Sequence, residues 1–276
     1  MERLELIVFN VGHGLSVALI ERPENYVTLI DLGCSDDFSP FAYLLNTMKL
    51  YPDILYITHP HGDHIRDIGT VVGCDQQPTY IDIQDYDWKD VEKRERRELK
   101  ETLKTYISYI NRARRGSYSG SADLNCWRYS PDEAKKAFGE TTYINNSSLF
   151  FIYTWNTFKI AIPGDLHSDA METFINCEEF NNTALGTDLL IAPHHGHKEG
   201  FTSLWVEKIG KPYLTLVSVQ KNDPHIASGY SKANFAKGIN IDGQTRYTLT
   251  TRQDGHIKVT MYYDQQNKPT WNFMTF

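Results

Sequence analysis

Ten histidines among 276 residues are unremarkable in number, but they are not scattered. His59, His61, Asp63 and His64 share the run Thr-His-Pro-His-Gly-Asp-His, Asp165 follows Pro163-Gly164, His194, His195 and His197 share Pro-His-His-Gly-His, and His225 ends Asp-Pro-His. Imidazole and carboxylate donors without sulfur suit borderline or hard ions such as zinc, manganese or iron. His59 and His61, two apart in an extended loop, can chelate one ion. Asp63 and His64, a step later at a helix start, can face a second. Two ions about 3.5–4 Å apart then need a bridging carboxylate and one further ligand each. Asp165, projecting after a tight turn, is the candidate bridge. A histidine of the His194-His195 pair completes the first site and His225 the second, leaving room for a bridging hydroxide acidified by both cations.

The elements that must position these groups are legible in the patterning. Residues 5–11, 15–21 and 26–32 read as a meander of strands, followed by a helix at 41–50 with Ser39 as N-cap and Pro40 at its first position. A strand at 53–58 ends in the first cluster, and 79–83 is one more. In the second half a hairpin, 148–153 with 157–162, runs into Asp165. A helix at 168–176 follows, and a buried strand at 188–192 ends in the His-His-Gly run. A helix at 203–209 precedes a strand at 213–219 leading to His225, then come a helix at 231–237 and strands at 247–252, 256–263 and 270–276. Each cluster sits where a strand gives way to a loop, the edge at which layered α/β folds bind ligands. The alternation predicts two packed sheets with helices outside, a single domain over 1–276.

Composition sets bounds. With 41% hydrophobic and 23% charged residues, a net charge of -7 and no long apolar run, the chain reads as a soluble cytoplasmic protein with no membrane span or secretory signal. Its four cysteines have no paired spacing, so neither a disulfide framework nor a thiolate metal site is expected. The charge is segregated: Lys89 to Gly116 holds ten basic against five acidic residues. There Leu99, Leu103, Tyr106 and Ile110 recur at helical spacing, so 84–141 reads as a helical basic insert with a second short helix near 131–138. Its basic face suits phosphates, or is a solvated face laced with pairs such as Glu92 and Arg96.

The run THPHGDH at 58–64 resembles the HxHxDH signature of the metallo-β-lactamase fold superfamily. VFNVGHGLSVAL near the start, LIDLG at 29–33, NNSSLFF at 145–151, IPGDL at 162–166, LLIAPHHGHK at 189–198 and Asp223-Pro224-His225 together resemble the nuclease domain of competence-type DNA-uptake proteins, and phosphorylcholine esterases share that ligand order. The similarity spans nearly the whole chain except 84–141. It implies a four-layer αββα sandwich of the α/β class. It also implies that a histidine of the His-His-Gly motif replaces the one that precedes the bridging aspartate in ordinary members. His195 is favoured as that ligand, with His194 at the substrate phosphate or behind the ligands. Where the branch usually reads V-G-Q-G-D, this chain has Val11-Gly12-His13-Gly14-Leu15, which makes His13 a candidate substrate-facing group.

The expected activity is metal-dependent hydrolysis of a phosphodiester, with a hydroxide activated by two divalent ions, zinc or manganese. His59, His61, Asp63, His64, Asp165, His195 and His225 are the candidate metal ligands. Asp63, His194 and Lys198 are the candidate catalytic groups, and His13, Lys198, Arg94, Arg97 and Arg115 the candidate substrate contacts. Nucleic acid is the expected partner, without sequence specificity because no base-reading module appears. The alternatives are a hydrolase of small diesters, such as cyclic nucleotides or phosphocholine esters, a lactonase, and a non-catalytic regulatory subunit.

Overall fold

In the computed structural model, which describes residues 2–241 and 243–276, the alternating runs become two β-sheets in two compact units. One unit is formed by the chain up to Ser121 together with His256–Phe276, the other by Ala122–Gly255.

The first unit is built on a seven-stranded sheet. Its strands are β1 (Arg3–Val8), β2 (Val17–Arg22), β3 (Tyr26–Ile30), β4 (Ile54–Tyr56), β5 (Tyr80–Asp82) and two from the chain end, β14 (Ile257–Tyr263) and β15 (Pro269–Thr275). The order is β15-β14-β1-β2-β3-β4-β5, antiparallel as far as β3 and parallel from β3 to β5. β4 is apolar and buried at every residue, as a parallel strand covered on both faces must be. The helical stretch at Pro40–Tyr43, continued by Leu44–Met48, begins where Ser39 accepts from Ala42 N, with Pro40 at its first position.

The second unit contains β6 (Asp123–Trp127), β7 (Phe150–Trp155), β8 (Phe158–Ile162), β9 (Leu189–Ile191), β10 (Leu214–Val217), β11 (Ile239–Ile241), β12 (Gln244–Arg246) and β13 (Thr248–Thr250). Six of these form a sheet in the order β13-β10-β9-β8-β7-β6, in which β8, β9, β10 and β13 run parallel, and β11 and β12 form a separate hairpin. Helices Ser168–Ile175 and Glu178–Ala184 place Met171, Phe174 and Phe180 in a core that also holds Phe150, Leu190 and Trp205. The Trp205 and Phe150 rings stack at 6.2 Å. Removing one such buried ring costs about 3–5 kcal/mol.

The insert is helical but interrupted: Trp88–Arg94 stops at Glu95, whose backbone is extended, and helix resumes only through Arg97–Leu99 into Lys100–Ile110. Two expectations are corrected. Residues 231–237 make a turn rather than a helix, with the amides of Phe235 and Ala236 both bonded to the Lys232 carbonyl just before β11 begins. The strand expected at 247–252 ends at Thr250, where a helical turn, Thr251–Asp254, takes over. Among the described residues, no helix is long and apolar enough to cross a membrane.

Candidate metal centre

In the first unit, the carboxyl ends of the parallel neighbours β3 and β4 carry Asp31 and the segment Thr58–His64, the edge where open α/β sheets present their binding groups. Asp31 leaves β3 in the left-handed region, φ 61, with its amide on the Tyr56 carbonyl at 2.8 Å. That turn aims its fully buried carboxylate into the loop. It accepts from Thr58 N, from Thr58 Oγ1 and from His64 Nδ1, each at 2.7 Å. Burial raises the Asp31 carboxyl above its ordinary value, against the opposing pull of His64 and the Thr58 donors.

Because Nδ1 of His64 faces Asp31, Nε2 is the nitrogen presented away from it, 3.8 Å from Asp63 Oδ2. His59 Nε2 and His61 Nδ1 converge at 3.0 Å. Two ligands on one tetrahedral zinc stand about 3.3 Å apart, given bonds of about 2.0–2.1 Å. His59 and His61 are thus spaced much as two ligands of one divalent ion would be. His13 Nε2 lies 3.3 Å from Asp63 Oδ2. This approach depends on Gly14, whose φ is +125 and where a Cβ would run into the Asp63 carbonyl.

The loop is braced from the insert. Gly62 N donates to Glu95 Oε2 at 2.7 Å, and Leu99 packs so closely on Gly62 that a Cβ there would stand 2.5 Å from Leu99 Cδ1. Glu95 also takes Arg96 N at 2.7 Å, the bond that accompanies the helix break.

In the second unit, three parallel strands end in the segments that carry the other candidate ligands. β8 runs into Pro163-Gly164-Asp165, β9 into Pro193–Gly196, and β10 into the segment carrying Asp223 and His225. His194 N bonds the Gly164 carbonyl at 3.0 Å, tying the first two together. His194, His195 and Gly196 have φ values of 48, 54 and 75. Two consecutive left-handed histidines cost on the order of 1 kcal/mol each and persist only where the surroundings impose them, as functional sites do.

The turn separates the two rings, whose centroids are 6.1 Å apart. His195 is buried with its Nε2 3.4 Å from Asp165 Oδ2. His194 instead stacks on His167 at 4.9 Å and lies beside His197 at 5.0 Å. Burial, with His195, His167 and His197 nearby, drives the His194 pKa down to about 4 against the pull of Asp165. His197 Nε2 bonds Asp223 Oδ2 at 3.1 Å, and Asp223 Oδ1 takes His225 N at 2.8 Å, so one carboxylate sets both histidine segments. The exposed His225 ring lies 5.6 Å from His197.

The remaining candidates are at the surface. Lys198 is exposed, its backbone amide on the His225 carbonyl at 3.1 Å. Arg94 pairs with Asp90 at 3.0 Å, Arg115 bonds the Ile83 carbonyl and Asp85 at 3.3 Å each, and Arg97 is exposed. The spacing argument overlooked Asp31, Asp223, Glu95, His167 and Asn145, whose Nδ2 lies 3.2 Å from His167 Nε2. Asp31 was signalled by an aspartate at the end of an apolar strand run. Glu95 had no local signal.

Residues 12–100 match the sequence profile of the Metallo-beta-lactamase superfamily. Among solved structures, Igni18, a metallo hydrolase from the hyperthermophilic archaeon Ignicoccus hospitalis, is 14% identical over 94% of this chain and 100% of its own, with a TM-score of 0.50. The chain has a metallo-β-lactamase fold. Other structures similar to it are the metallo-β-lactamase fold protein YhfI from Bacillus subtilis (16% identity, 82% of this chain and 89% of that one, TM-score 0.47) and unliganded yeast PDE1 (13%, 81% and 90%, 0.46). No curated protein matches the sequence significantly. Within the metallo-β-lactamase fold, the clustering of histidine and aspartate at strand ends is the part of this chain suited to divalent metal.

Proposed function

We propose that this chain is a metal-dependent phosphodiesterase whose ligands are His59, His61, Asp63, His64, Asp165, His195 and His225, holding two divalent cations of the zinc or manganese kind. The observation that carries this reading is the pairing of buried His195 with Asp165 at 3.4 Å. It joins to the carboxylate a histidine from the motif that follows it, the ligand order of the phosphodiester-cleaving branch that the sequence resembles. When bound, the cations supply Lewis acidity at the phosphoryl group and acidify the attacking water. The chain's own residues do the rest. Asp31 fixes the His64 tautomer, His13 faces Asp63, and Lys198 offers a cation to substrate phosphate next to the His-His-Gly turn.

Nucleic acid is the substrate class that the basic insert favours, through Arg94, Arg97 and Arg115. A smaller diester is the second reading, favoured because Asp90 and Asp85 already engage two of these arginines. Such exposed pairs are worth only about 0.2–1 kcal/mol, so phosphates can displace them.

The test is an activity matrix of zinc and manganese against DNA, RNA, a cyclic dinucleotide, bis-nitrophenyl phosphate and a lactone, with and without chelator. Chelator-sensitive diester cleavage that is lost in His195→Ala is expected; turnover of the lactone alone would refute the proposal. Charge reversal at Arg94, Arg97 and Arg115 should weaken cleavage of long DNA and flatten its salt dependence while sparing the chromogenic diester. Equal loss on both would favour a folding role for the insert.

A further inference from the structure

We propose that the second unit carries an additional binding site for a borderline divalent cation such as zinc, formed by His194, His197 and Glu199 and separate from the Asp165–His195 pair. One ligand atom from each of these three residues lies within 4.8 Å of the other two. Two imidazoles and a carboxylate form a donor set typical of zinc, and the negative charge of Glu199 argues against an anion. Ligands on one zinc stand about 3.3 Å apart, so the two histidine rings and the exposed Glu199 side chain must each turn inward by up to about 1.5 Å to close on the ion.

Three observations show that the site is built rather than incidental. First, His194 Nδ1 is buried and has no hydrogen-bond partner among the described residues, a cost of about 1–3 kcal/mol for a polar atom that nothing satisfies. A cation ligated by this nitrogen would remove that cost. Second, the left-handed backbone at His194 and His195 turns the His194 ring away from Asp165's partner, and His167 holds it from behind in a near-parallel stack at 4.9 Å and 14°. Third, Asp223 grips His197 Nε2 at 3.1 Å, as carboxylates behind metal-binding histidines do to fix ring orientation and raise basicity. Gly196 and Lys198 between the donors are backbone-tied, Lys198 N to the His225 carbonyl and Ala227 N to the Gly196 carbonyl, so the short segment holds its shape.

Zinc bound per chain, measured by elemental analysis after equilibrium dialysis of the metal-free protein, tests the site without any activity readout. Glu199→Gln and His197→Ala should each bind one zinc fewer than the unaltered chain, or bind that ion at least tenfold more weakly in a chelator competition. Asp165→Ala, with its fold checked by circular dichroism, should keep this ion. Glu199 is exposed and outside the Asp223 contacts, so its variant reports on the site even if His197→Ala disturbs His225. Unchanged zinc number and affinity in Glu199→Gln would overturn the proposal, as would complete loss of zinc from folded Asp165→Ala. If two ions remain in Glu199→Gln, the seven-ligand reading stands whatever becomes of the third.

Discussion

Replacing Asp31 by Asn probes how the first unit readies a histidine for metal. The two side chains are nearly equal in size, and Asn tolerates the φ of 61 at this position, so the backbone has no reason to move. The hydrogen bonding changes. The carboxylate takes Thr58 N on Oδ1 and both Thr58 Oγ1 and His64 Nδ1 on Oδ2. If the carboxamide oxygen keeps the Thr58 amide, its NH2 faces His64 Nδ1. The ring must then shift its proton to Nε2, losing the lone pair that a metal needs. If the amide flips, its NH2 meets the Thr58 N–H, leaving buried donors unsatisfied.

Removing such a partner behind a metal-binding histidine weakens the metal about 10–100-fold, or about 1.4–2.7 kcal/mol. The lost charge-assisted bond removes about 1.5–3 kcal/mol of folding stability, less whatever relief comes from no longer burying a charge that desolvation already disfavours. A chelator competition titration on the metal-free protein reads the first quantity and a denaturant midpoint the second. Asp53→Asn is the control, because Asp53 Oδ2 takes Val27 N, at 2.7 Å, away from the candidate donor loop. It should lower stability and leave metal affinity alone. Wild-type metal affinity in Asp31→Asn would refute tautomer control by Asp31.

Two further outcomes follow from local geometry. Burial lowers the pKa of His256 below 6.5, and its neutral Nδ1 accepts Asn10 N–H at 2.9 Å; the unfolded chain therefore gains a proton near pH 6.5 that the folded ring refuses, so stability falls as pH drops through that value and levels off below the folded pKa. Denaturant midpoints between pH 7.5 and 5 should show a shallower acid loss in His256→Gln, and an unchanged slope would exclude His256 as its source. Gly14→Ala, with φ +125 and a Cβ against the Asp63 carbonyl, should cost more than about 1 kcal/mol and weaken metal binding, whereas Gly12→Ala, at φ +73 with open space, should cost less; equal midpoints in the two would show that the Asp63 contact does not matter.

Much of the architecture could be read from periodicity because burial dictates it. Apolar runs such as Ile54–Tyr56 and Leu189–Ile191 have no other stable place than a sheet interior, and the chain must leave each at a polar end. The placement of the candidate donors was legible for the same reason, since a histidine or aspartate directly after such a run falls on the sheet edge. What was illegible is what distant segments impose. The apolar spacing over 99–110 is helical and nothing local marks a break before it, yet Glu95 is extended and accepts a glycine amide from 33 residues earlier. β6 buries none of its five residues fully, so no core-facing run marks it, and pairing with β7 creates it. The different surroundings of His194 and His195 follow from two left-handed φ angles that identical neighbouring residues cannot announce.

The Glu95 bond to Gly62 also bears on the order in which the chain matures. A loop carrying four candidate metal donors has one amide satisfied, and its glycine covered, by residues that leave the ribosome about thirty positions later. Contacts of that separation form late because loop closure must precede their reward. The Gly62 end of the candidate donor loop therefore takes its final bracing only when the insert is in place, so its order is coupled to the folding of the insert.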